Sequence, residues 1–168
     1  MILFKGKYLD LVCEDSWEYV RRTNCSGIVV IVPMTSDEKV IFVEQFRRPV
    51  KAQVIEWPAG LVNDKTSHDA ETLETAARRE LLEETGYQAQ HLSLLTEGPV
   101  SSGLSAEIIT FYQALDVVKV APGGGDETES IKVHEVPLRE ADLWLYEMEK
   151  KGLLVDPKVY VGLYFLKT

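Results

Sequence analysis

Leu73, Ala77, Glu80 and Glu84 stand four, three and four positions apart. In a helix that spacing places them on one stripe. The stripe starts apolar, as a core-facing surface does, and ends in two carboxylates, with Glu83 beside them. Carboxylates that continue a buried stripe need a counter-charge, because an unpaired buried charge is costly. A divalent cation supplies one. Oxygen ligands favour a hard ion, Mg²⁺ above all with Mn²⁺ as a substitute, and Mg²⁺ ordinarily shares its shell with water and substrate phosphates. The plain alternative is a solvated helix face, on which Arg79 and Glu83 make an i,i+4 pair worth only about 0.3 kcal/mol.

The element that must carry these residues is a helix predicted over 72–85, with Thr72 or Asp69 as its cap and Gly86 as its stop. Strands are predicted over 6–12, 17–22, 27–32, 40–43 and 54–57 before it, and over 92–95, 108–118 and 131–136 after it. Pro122-Gly123-Gly124-Gly125 reads as a loop with little intrinsic order. Helices are predicted over 139–150, where Ala141, Leu145 and Met148 keep helical spacing, and over 156–166, where Pro157 sits in the first turn. Strands with an inserted helix and a helical tail suggest a layered α/β or α+β sandwich.

Composition narrows the partners. The 168 residues carry a formal charge of −9, with 45% hydrophobic and 27% charged residues, ordinary values for one globular domain. No basic run could track a phosphate backbone, so no nucleic-acid partner is expected. The aliphatic run Ile28-Val29-Val30-Ile31-Val32 is far too short to span a bilayer, and the N-terminus has no signal-peptide pattern. Cys13 and Cys25 form no metal or redox motif and are expected to be reduced thiols of a cytoplasmic chain. His68, His91 and His134 have no ligand spacing.

The segment Glu71, seven residues, then Arg79-Glu80-Leu81-Leu82-Glu83-Glu84-Thr85-Gly86-Tyr87 matches the Nudix hydrolase signature at every position from Glu71 onward. Upstream it departs: ten residues, not five, separate Gly60 from Glu71, an insertion expected to lengthen the loop without moving the helix. Three further stretches resemble the ADP-ribose and nucleoside-diphosphate-sugar pyrophosphatase branch: Trp17-Glu18-Tyr19-Val20-Arg21-Arg22-Thr23, Glu44-Gln45-Phe46-Arg47-Arg48-Pro49 and Glu56-Trp57-Pro58-Ala59-Gly60-Leu61. The resemblance implies a Nudix-type α/β/α sandwich with an N-terminal antiparallel strand extension. Residues 1–25 would be strands exchanged in a homodimer, and 26–168 the catalytic domain.

The resemblance also implies roles. The Ala59 carbonyl, Glu80, Glu84 and Glu129 would bind Mg²⁺, Glu83 would assist, Arg79 would orient the carboxylates, and Glu127 would be the general base. A carboxylate on a Gly-rich loop can also arrive late, as the loop closes over substrate. Trp17 would stack on a base, Arg22 and Arg47 would offer forked donors to pyrophosphate or base, and Glu56 would position Arg47 or a ribose hydroxyl. Relatives carry a Pro before an acidic residue where this chain has Ser102 before Glu107, and Ser frees the backbone angle that Pro fixes. That change favours a range of nucleotide sugars, ADP-ribose and GDP-mannose among them, split to nucleoside monophosphate and sugar phosphate. Two other readings stay open: the same chemistry on a nucleoside triphosphate or dinucleoside polyphosphate, and a sensor that binds nucleotide sugars without turnover.

Overall fold

The computed structural model describes residues 1–63, 71–125 and 130–168. In chain order the strands are β1 (Ile2–Lys5), β2 (Leu9–Glu14), β3 (Trp17–Arg22), β4 (Gly27–Met34), β5 (Lys39–Arg47), β6 (Ala52–Glu56) and β7 (Ala59–Val62). Helix α1 (Leu73–Thr85) comes next, then β8 (Tyr87–Gln88), β9 (Ser93–Pro99), β10 (Ile108–Leu115), β11 (Val118–Lys119) and β12 (Lys132–Pro137). The chain ends with α2 (Ala141–Lys150), β13 (Leu154–Val155) and α3 (Pro157–Lys167).

Strand β4 is buried on both faces, and its alternation builds two cores. Val29 and Ile31 join Val62, Ala76, Ala77 and Leu81 under α1. Val30 and Val32 join Phe42, Ile55, Trp57, Leu145, Val159 and Leu163 under α2 and α3. Because successive side chains point to opposite faces of a strand, one apolar run serves both layers, and the result is the expected α/β/α sandwich. The sheet is mixed: β10 runs parallel to β4, while β7 pairs antiparallel with β4 and β12 antiparallel with β5. Strands β4 and β5 pair only at Met34 and Val40. Beyond that point β7 takes the flank of β4 and β6 that of β5, while β12 runs along the other edge of β5.

Trp57 locks α3 to the sheet. Its ring lies 4.6 Å from Phe42, and its Nε1–H donates to the Lys158 and Val159 carbonyls at 3.1 and 3.2 Å. A Cβ on Gly162 would come within 2.4 Å of that Nε1, so the helix packs at van der Waals range on the indole. Strands β1, β2 and β3 form a separate antiparallel sheet. It docks on the segment before β10: Val20 N–H donates to the Leu104 carbonyl at 2.8 Å, and Ala106 N–H returns to the Val20 carbonyl at 3.0 Å.

The structure corrects several predicted boundaries. Of the strand expected over 6–12, residues 6–8 form the turn between β1 and β2, in which Gly6 N–H donates to the Leu9 carbonyl, and the strand begins only at Leu9. The strand expected over 108–118 breaks at Asp116, whose φ of 52° leaves the extended region, so β10 and β11 belong to different sheets. Strand β7, just past Pro58, has no counterpart among the predicted strands.

Candidate active site

Helix α1 begins where Thr72 Oγ1 accepts the Thr75 N–H at 3.1 Å, and it closes at Gly86, whose N–H reaches the Leu82 carbonyl. Thr72 is therefore the cap; Asp69 lies outside the described residues. Ala76, Ala77 and Leu81 seat the helix on the sheet, and Glu80 and Glu84 share that buried side, only 9% and 4% exposed. Strand β7 lies beneath them. Ala59 N–H donates to Glu84 Oε2 at 3.1 Å. A Cβ on Gly60 would stand 2.0 Å from the Glu80 carboxyl carbon, so that carboxylate occupies space any side chain at position 60 would fill. From β5, the buried Gln45 carboxamide donates to Glu84 Oε1 at 3.3 Å.

Arg79 is the hub of the remaining acids. Its Nε and Nη2 fork onto both oxygens of Glu71 at 2.8 and 3.1 Å, and Nη2 also reaches the Leu61 carbonyl at 3.0 Å. Its Nη1 donates to Glu80 at 2.7 Å and to Glu83 at 3.2 Å. These carboxylates, Glu71 foremost, hold the guanidinium pKa above its ordinary value. Among the described residues no three His, Cys, Asp or Glu side chains already stand as a metal cage; Arg79 instead stands bonded to both Glu80 and Glu83.

A cleft of about 450 Å³ opens over this floor. Glu80, Glu83, Glu84, Ala59, Gly60 and Arg79 line it, as do three further cationic side chains, each paired to an acid. Arg22 binds Glu107 at 2.8 Å, Arg47 binds Glu56 at 2.5 Å, and Lys158 pairs with Asp156.

The ends of α1 are also the points where two loops attach. At the start, Asn63 and Glu71 clasp each other: Asn63 Oδ1 accepts Glu71 N–H at 2.6 Å, and Asn63 N–H donates to Glu71 Oε2 at 3.2 Å. The insertion falls between them. At the far end, the N–H groups of Gly124 and Gly125 donate to the carbonyls of Glu84 and Glu83 at 2.8 and 3.0 Å. Gly123 has φ 72°, and a Cβ there would stand 2.3 Å from the Thr85 carbonyl carbon. Ile131 N–H returns to the Gly124 carbonyl at 3.3 Å. The glycine run expected to lack order is thus fastened to the peptides of Glu83 and Glu84.

A family model described as the NUDIX domain matches residues 26–156. The chain belongs to the Nudix family. Curated relatives agree. The chain is 32% identical to the methanol dehydrogenase activator of Bacillus methanolicus, over 98% of this chain and 88% of that protein. It is 34% identical to the ADP-ribose pyrophosphatase of Bacillus subtilis, over 83% of this chain and 76% of that one. It is 32% identical to the GDP-mannose pyrophosphatase of Escherichia coli, over 85% and 74%.

The Nudix helix therefore brings Arg79, Glu80, Glu83 and Glu84 to one cleft with Ala59, Arg22, Arg47, Glu56 and Glu107. Two expected residues are elsewhere. Trp17 is 61% exposed and absent from the cleft wall. It lies five residues before Arg22 along β3, roughly 16 Å away, and its Nε1–H donates to the Gly103 carbonyl at 3.1 Å. Ser102 is exposed in that same turn and does not line the cleft either. Glu127 and Glu129, with Asp126 and His68, lie outside the described residues. His134 serves the framework: its Nε2 sits 2.8 Å from Glu44, and its ring 4.9 Å from Trp144. Sequence reasoning misses Lys158, which Trp57 and the α3 cap deliver to the Nudix cleft from the far end of the chain. Pro157 beside it marks only the helix start.

Proposed function

We propose that this Nudix chain hydrolyses the pyrophosphate of nucleoside diphosphate sugars, ADP-ribose and GDP-mannose among them, to a nucleoside monophosphate and a sugar phosphate, with Mg²⁺ as cofactor and Mn²⁺ as its substitute. The observation that carries the reading is the pair of buried carboxylates, Glu80 and Glu84, at the floor of a cleft walled by paired cations. The two relatives named as pyrophosphatases of ADP-ribose and GDP-mannose support the substrate class.

The donor set fits a hard cation. It is all oxygen, it is buried, and the Gly60 backbone leaves room for the Glu80 carboxylate beside Ala59. Glu80, Glu84 and the Ala59 carbonyl would hold the ion, with Glu129 from outside the described residues. Bound there, the ion supplies charge neutralisation and a water of lowered pKa. Arg79 holds Glu80 and Glu83 in register through its fork on Glu71. Arg22 and Arg47 offer forked donors that suit phosphate oxygens. Their partners Glu107 and Glu56 hold them in place until substrate takes over the contact. Glu127, outside the described residues, is proposed as the general base on the strength of the family resemblance.

The same proposal has the 1–25 strands exchanged in a cytoplasmic homodimer, with 26–168 as the catalytic domain. Supporting this, Ile2, Leu3 and Phe4 of β1 are all exposed, and Trp17, placed away from its own chain's cleft, would be free to serve the base in that arrangement. Among the described residues no helix is long and apolar enough to cross a membrane.

The experiment is a panel of ADP-ribose, GDP-mannose, ADP-glucose, UDP-glucose, NADH and dGTP with Mg²⁺ or chelator, read by product chromatography. Cleavage of several nucleotide sugars, abolished by chelator, is expected. Cleavage of dGTP alone would move the chain to the triphosphate reading. Binding without any product would make it a sensor.

A further inference from the structure

We propose that Gln45 is a positioning residue that fixes the carboxylate plane of Glu84 for the metal, an inference that rests on the metal reading above. Gln45 is 7% exposed in a stretch of β5 otherwise buried as Val40, Ile41, Phe42 and Val43. An apolar side chain would cost less there, because a buried carboxamide loses its water hydrogen bonds. The hydrogen bond its Nε2 makes in return runs to Glu84 Oε1, 39 residues away.

That bond does not act alone. Ala59 N–H on β7 donates to the other oxygen, Oε2. One donor per oxygen, from two different strands, fixes both the place of the carboxylate and its rotation about the Cγ–Cδ bond. Each carboxylate oxygen has two lone-pair positions, and these two bonds take one on each oxygen. Both donors are uncharged, so they hold Glu84 without neutralising it. Glu80 and Glu83, by contrast, are held by the Arg79 guanidinium. Partners that orient a metal ligand from outside typically change metal affinity or activity by about 10–100-fold when removed.

The test is calorimetric titration of the metal-free protein with Mn²⁺ alone, in wild type, Gln45→Met and Gln45→Asn. Met keeps the length without the donor; Asn keeps the donor but draws it back by one methylene. Both are expected to weaken Mn²⁺ binding by at least about tenfold, with melting of the metal-free protein lowered by no more than roughly 2–4 °C and an unchanged KM for ADP-ribose at saturating Mg²⁺. A dissociation constant within twofold of wild type in either folded variant overturns the proposal, whatever happens to kcat. Failure of wild type itself to bind Mn²⁺ would overturn the metal reading and this inference with it, so the two failures are told apart.

Discussion

Three carboxylates, Glu71, Glu80 and Glu83, share one guanidinium, while Glu84 is gripped by a backbone amide and a carboxamide. Glu84→Gln keeps the volume and removes the charge. One of its ends then meets a donor with another donor, a loss of about 1 kcal/mol, or roughly 2–4 °C in melting temperature for a chain of this size. Turnover is expected to fall by about 100-fold or more. Near-normal kcat in the folded variant would defeat the metal assignment. The acids of α1 are legible in the sequence because helical spacing and a long signature both select them. Lys158 is not: it reaches the cleft from an element distant in sequence, and no spacing along one helix or strand reveals it. Gln45 lies in a stretch that carries the resemblance, but its bond to Glu84, 39 residues away, is visible only in the structure.

At the scale of elements, α1 is held at both ends by the loops that enter and leave it. Its C-terminal carbonyls are taken by Gly124 and Gly125. A glycine run suggests freedom when read as sequence, whereas the structure uses the missing side chain for proximity. Two substitutions separate those meanings. Gly152→Ala, at φ 88° with nothing within 4 Å of the new Cβ, carries only the left-handed cost, about 1–2 kcal/mol. Gly123→Ala adds a backbone collision at 2.3 Å, worth a further roughly 1–3 kcal/mol. Denaturant melts should show the larger loss at 123. Only Gly123→Ala should also lower kcat, because only there is the Thr85–Gly86 peptide, directly after Glu84, pushed. Equal kcat values for the two folded variants would show that the anchor does not matter for turnover.

At the scale of the whole molecule, the sandwich is legible from one strand. The run Gly27–Val32 is apolar at every position after the glycine, which fits a strand covered on both faces. The finer topology is not legible. Strand β7 is four residues long and comes just after a proline, and its pairing with β4 is decided by the divergence of β4 from β5, which no local pattern encodes. The Asn63–Glu71 clasp is equally hidden, since it joins residues on either side of the insertion. It gives the molecule a socket. Any segment strung between the two clasped residues adds mainly closure entropy, about 0.6 kcal/mol for each doubling of length. Shortening the 64–70 segment to the usual signature spacing should therefore leave kcat and Mn²⁺ affinity near wild type, and loss of either would show that the insertion is part of the machinery. If it is not, this is the place where a lineage can try new substrate contacts, or an engineer can graft a foreign segment, while the Glu80–Glu84 floor stays as it is.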